Sequence, residues 1–196
     1  MADLALGVRD HSGWAVVVAV AGDVTAPDVV LRERVALLDP DLPRQPYHAA
    51  VDLDLPEAAT LIEQVERSAE HEAASMLNRV LADLAVTGHR VACIAVAAVT
   101  VAVPDSLEMV LSSHALLHAA EGELYREALA EAAAGEGLPV TRFLHKTVMA
   151  DAAACLGVSG DEVRRTMNAL GKDLGPPWQK DHKEATAAAL IAAAGR

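Results

Sequence analysis

The chain has 196 residues and a formal net charge of −12, with 53% hydrophobic, 22% charged and 3% aromatic residues. The length fits a single domain over residues 1–196 with a sizeable core. The composition excludes a disordered chain, and the negative charge argues against unspecific clamping of a polyanion, which needs a basic face. Two cysteines, Cys93 and Cys155, stand in apolar contexts without CxxC spacing. Together with an N-terminus that has no basic run ahead of an apolar one, they predict a cytoplasmic protein. The longest apolar run, residues 91–103, is too short to cross a bilayer, so no membrane association is expected.

Residues 4–8 (LALGV in LALGVRDHSGWAVVV) form a short apolar strand, and RDHSG is a polar turn cluster. Residues 14–20 are a β-branched run without helical period and make the second strand. Turn chemistry fills 22–28, with Gly22, Pro27 and two aspartates. Residues 29–38 then alternate as a third strand, which makes the start of the chain an antiparallel meander. Residues 39–56 contain four prolines and read as a long loop, a type of segment that is often functional.

Residues 56–86 keep a helical apolar period opposite a charged face, with Pro56 and Glu57 suited to a first turn. Gly88 ends that helix. Residues 91–103 are continuously apolar, as in a strand buried on both faces. An Ala-rich helix follows over 114–134, with Ser106 or Ser112-Ser113 as candidate caps, then a short strand over 138–143. Three helices close the chain, over 146–156, from Ser159 to about residue 170, and over 181–194. The expected order is β-β-β-α-β-α-β-α-α-α, an α/β mixed five-stranded sheet with helices on both faces.

Three segments carry a resemblance to the RuvC-type Holliday-junction resolvases of the ribonuclease-H-like superfamily. LGVRDHSGWAVV resembles the family's opening strand, acidic turn and second strand. SSHALLHAAEGELYREALAEAAAGEGLPV is similar to its helix and following strand. FLHKTVMADAAACLGVSGDEVRRTMNALGKDLGPPWQKDHKEATAAALIAA looks like its lysine-bearing segment, small helix and terminal acidic helix. The resemblance implies a metal-dependent endonuclease in which carboxylates hold two divalent cations, Mg2+ or Mn2+. It assigns Asp10, Asp181 and Glu184 as metal ligands and catalytic acids, and Lys146 to a place near the phosphate.

The sequence also departs from that pattern. Arg9 stands where the family has its first aspartate, and Asp10 comes one residue later. Alternation along a strand turns such a neighbour to the other face unless a bulge intervenes. IAVAAVTVAVP, where the next acid belongs, has none before Asp105. Glu121 is the substitute acid if its helix faces the cleft. Two functions follow: a noncatalytic module that binds nucleic acid or protein, or an active structure-selective endonuclease. An ATP user of the actin or sugar-kinase type shares the core fold, but its Gly-Thr phosphate turns are missing.

Other clusters have simpler readings. His114 and His118 are i,i+4 with Glu121 three further on, but Ala115 follows the first histidine, which excludes a zincin. Cations concentrate in the C-terminal third (Arg142, His145, Lys146, Arg164, Arg165, Lys172, Lys180, Lys183), the one feature that favours a phosphate-bearing partner such as nucleic acid. The alanines at 133–134, 187–189 and 192–193 are candidates for a homodimer contact.

Overall fold

The computed structural model describes residues 2–22 and 26–195; the middle of the turn expected over 22–28 lies outside them. The order is β1 (Ala2–His11), β2 (Trp14–Ala21), β3 (Asp28–Ala36), α1 (Pro46–Ala50), α2 (Leu55–Val86), β4 (His89–Ala97), α3 (Leu107–Leu111), α4 (His114–Gly135), β5 (Val140–Phe143), α5 (Val148–Cys155), α6 (Gly160–Leu174) and α7 (Lys180–Ala194). The strands lie in the order β3-β2-β1-β4-β5. β1–β2 and β2–β3 are antiparallel, while β1–β4 and β4–β5 are parallel. This is the mixed five-stranded sheet expected, with the parallel strands β1, β4 and β5 ending on one edge of the molecule.

Alternation along β1 divides the molecule into two layers. Leu4, Leu6 and Val8 join α2 and α4 in one core, and Ala5 joins α5, α6 and α7 in the other. β4 is buried on both faces, which accounts for its unbroken apolar run. Asp54 caps α2 by accepting from the Glu57 amide at 2.9 Å, and Gly88, at φ +82°, follows its end.

The packing of α7 depends on glycine. A Cβ on Gly7 would fall 1.8 Å from the Ala185 carbonyl oxygen, so β1 and α7 approach backbone to backbone. Ala185, Ala187, Ala188, Ala189 and Ala192 are at most 1% exposed. The alanines at 187–189 and 192 therefore pack inside this chain, and that stretch does not present the small-residue face expected for a second copy.

The main differences from the sequence reading are two strand ends and two short helices. β1 runs on through Asp10 to His11, because Ser12-Gly13 alone makes the hairpin turn, with Gly13 at φ +78°. β4 stops at Ala97, and residues 98–105 leave the sheet. Two short helices are added: α1 interrupts the segment that reads as loop, and α3 follows Ser106, one of the two candidate caps, and ends before α4 begins. Pro46 starts α1, and the Ser106 hydroxyl caps α3 by accepting from the Met109 amide.

Candidate active-site cleft

The carboxyl ends of the parallel strands are where an open α/β sheet binds its ligand. β1 delivers Arg9, Asp10 and His11 there, on alternating faces. The β1–β2 ladder is unbroken from Ala5↔Val20 to His11↔Trp14, so no bulge turns Asp10 over. Arg9 and His11 face α7, and Asp10 faces α4.

Asp10 is 5% exposed. Arg126 of α4 donates Nε–H to its Oδ2 at 2.9 Å, and His145, just past β5, lies 2.7 Å from its Oδ1. Since an ionised carboxylate only accepts, the assigned tautomer has His145 donating from Nε2. Burial pushes the Asp10 pKa up, but the His145 hydrogen bond and the Arg126 charge outweigh it and hold it at about 2. Asp10 is thus a buried anion closed off by two cationic or polar partners.

On the other face, the Arg9 guanidinium takes the position between the acids of α7. Its Nε lies 2.8 Å from Glu184 Oε2 and 3.9 Å from Asp181 Oδ1. Lys180 adds a cation 3.5 Å from Glu184 Oε1. His11 Nε2 is 3.1 Å from Asp181 Oδ2, and its ring stacks on Trp14 at 4.0 Å, with the Arg34 guanidinium 3.8 Å over the indole. Arg9 Nη1 also comes within 3.2 Å of His145 Nε2, where two donors face each other, so the two faces approach around the end of β1 without a hydrogen bond between these groups. His182, one turn into α7, is buried, and desolvation followed by the Arg32 charge pushes its pKa down.

Asp10 on one face of β1 and Asp181 and Glu184 on the other stand at the same end of the sheet, and each carboxylate has a side-chain cation as its neighbour. Lys146 is exposed on the turn beside His145. Glu121 points elsewhere. It is 2% exposed, and its Oε1 accepts from the His48 amide at 3.2 Å and lies 2.8 Å from His48 Nδ1, on α1.

Arg126 and His48 were not legible as partners. Nothing local marks Arg126 among the charges of α4, and His48 sits in a segment that reads as loop. The alternation rule did flag Asp10, and the position of Arg9 pointed to the conflict with the family pattern.

A second cleft, between α2, α4 and the 103–105 turn, has a volume of about 310 Å³ and is lined by Glu66, Glu70, Glu123, Glu127, Glu131 and Asp105. Burial, then the neighbouring Glu70 and Glu63, pushes the Glu66 pKa up. Burial, then Glu66, Glu123 and Glu121, pushes that of Tyr47 up to about 12. Crowded anions make this face hostile to a phosphate backbone.

No protein-family model matches the sequence. No curated protein matches it either. Solved structures do. The chain is similar to the Thermus thermophilus RuvC structure, with a TM-score of 0.56 at 17% identity over 99% of this chain and 94% of that one. It is also similar to T. thermophilus RuvC in complex with a Holliday junction substrate, with a TM-score of 0.55 at 17% identity over 97% and 92%. Strand order, helix placement and this end-to-end overlap agree: the chain has the RuvC-like, ribonuclease-H-like fold.

Proposed function

We propose that this protein is a noncatalytic RuvC-like module that binds branched nucleic acid without cutting it. The observation that carries this reading is Arg9. Its guanidinium, 2.8 Å from Glu184, supplies from within the chain the positive charge that the resemblance assigns to a divalent cation. Asp10 faces the opposite side of β1 and is closed by Arg126 and His145. β4 (HRVACIAVA) brings no acid. As arranged, these residues do not fit a two-cation centre, and no hydrolytic step is derived through one.

Nucleic acid is favoured as the partner by the likeness to a RuvC structure that holds a Holliday junction. The exposed cations of the C-terminal third, Lys146, Arg165, Lys172 and Lys180, offer the contact. The acid-lined cleft confines a polyanion to that end. With a formal charge of −12, binding will be weak and lost as salt rises.

The test is fluorescence anisotropy of a labelled four-way junction and a matching duplex at low salt, followed by gel analysis after incubation with Mg2+ or Mn2+. The expected result is binding of the junction, weakened by Lys146→Glu and Lys172→Glu, with the DNA intact. Cleavage lost in Asp181→Asn would overturn it and support the endonuclease reading, with Asp181 and Glu184 among the ligands. Absence of binding at low salt would point to a protein partner.

A further inference from the structure

We propose that His48, His114 and His118 form a binding site for a zinc-class transition-metal ion, separate from the end of β1, that ties α1 to α4. One candidate ligand atom from each histidine lies within 4.8 Å of the others. His114 and His118 are i,i+4 on the first turns of α4, so one helical face presents both rings. His48 comes from α1, a separate element. The three rings are mutually in contact, with centroids 5.4 Å apart for His48–His114, 4.7 Å for His48–His118 and 4.6 Å for His114–His118.

Glu121 is the feature that makes this more than a chance grouping. Histidine ligands are usually oriented by a carboxylate on the ring nitrogen that does not bind metal. Glu121 does this for His48. Its buried Oε1 lies 2.8 Å from Nδ1 and also accepts from the His48 amide, which leaves Nε2 as the nitrogen free to coordinate. Oε2 accepts from Gln45 at 3.5 Å and lies 3.9 Å from His118 Nδ1, so the same negative charge stands beside a second ring without a hydrogen bond to it. The anchored ring is half-buried, and the two it faces are exposed and able to turn.

The distances suit a small ion. Zinc–nitrogen bonds of about 2.0–2.1 Å put neighbouring ligand atoms about 3.4 Å apart in a tetrahedral site. The widest pair therefore has to close by at most about 1.4 Å, within reach of exposed histidine rotamers. Three imidazoles select zinc, nickel, cobalt or copper, whereas Mg2+ and Ca2+ prefer oxygen ligands. Water fills the fourth position. Apart from this cluster, α1 is held by apolar contacts, Ala50 with Ala58 and Ile62, and Tyr47 against the neighbouring core of α2 and α4. A bound ion would stiffen the proline-rich segment.

The test uses the untagged full chain, stripped with chelator and titrated with Zn2+ by calorimetry. Co2+ absorption reports coordination geometry. One Zn2+ per chain is expected, with a tetrahedral Co2+ spectrum, a higher melting temperature and no competition from excess Mg2+. His114→Ala and His118→Ala, both at exposed positions, should each weaken binding roughly tenfold or more, and Glu121→Gln roughly 10–100-fold. His71→Ala, on the exposed face of α2, should leave binding unchanged. Failure to take up Zn2+ stoichiometrically would overturn the proposal. So would uptake indifferent to both α4 histidine variants, an outcome that survives even if Glu121→Gln does not fold.

Discussion

At the residue scale, Asp10 shows how a buried carboxylate is kept ionised. Desolvation works against the charge, and the His145 and Arg126 contacts more than offset it. Because its pKa is lowered on folding, its contribution to stability is present in full above the ordinary carboxylate value of 3.8. That contribution is lost as pH falls through about 2. The interval corresponds to about 2 kcal/mol. Urea unfolding from pH 7 down to pH 2 should show Asp10→Asn less stable than wild type at neutral pH, with the gap narrowing in acid. Removing the cation alone is worse: Arg126→Met leaves the carboxylate buried with one partner, at a cost of about 3 kcal/mol by the same measurement. His182 adds a dependence of its own. Its pKa is pushed down on folding, so protonation of the unfolded chain below the ordinary value of 6.5 draws stability away as pH falls.

At the scale of elements, the tightest constraint is the contact of β1 with α7. Gly7→Ala would drive a methyl into the Ala185 carbonyl, with backbone on both sides and no flexible side chain to yield. A loss of about 3 kcal/mol is expected, near the upper end of ordinary overpacking. Faster hydrogen exchange confined to α7 and the end of β1 would identify the cause. The long elements were legible in the sequence: α2 from its apolar period, α4 from its length and alanine content, β2 and the buried β4 from unbroken β-branched or apolar runs. The five-residue helices α1 and α3 were not. Each is too short for a hydrophobic repeat, and their proline and serine caps look the same in loops. The course of β1 through Asp10 was missed because a polar residue at a strand end reads as turn until its buried partners are known. Those partners, Arg126 and His145, lie 116 and 135 residues away.

At the scale of the whole molecule, the meander followed by alternating helices and strands was enough to give the sheet, and the solved RuvC structures overlap it almost end to end. Among the described residues, no helix is long and apolar enough to cross a membrane. The site was only half legible. Sequence placed three acids at one end of the sheet but not the cations that meet them, because pairing across the fold leaves no local pattern. The most crowded acids lie on one side, although Asp151, Asp161, Glu162 and Asp173 are also exposed among the cations of α5 and α6. The acid-lined cleft sits against α2 and α4, while the exposed cations gather around α5 to α7. A salt titration of junction binding should therefore give a shallow slope, reflecting about two to four phosphate contacts. A steeper slope would mean a broader basic surface than these residues provide.

On the proposed reading, the Arg9 guanidinium holds the carboxylates of α7 in place of a metal ion. Calorimetric titration with Ca2+ addresses it directly, because an oxygen-seeking cation separates these carboxylates from the histidine cluster. No stoichiometric Ca2+ binding by the wild-type chain is expected, and one site should be gained in Arg9→Asp, where a third carboxylate joins Asp181 and Glu184. Stoichiometric Ca2+ binding by wild type that disappears in Asp181→Asn would contradict it.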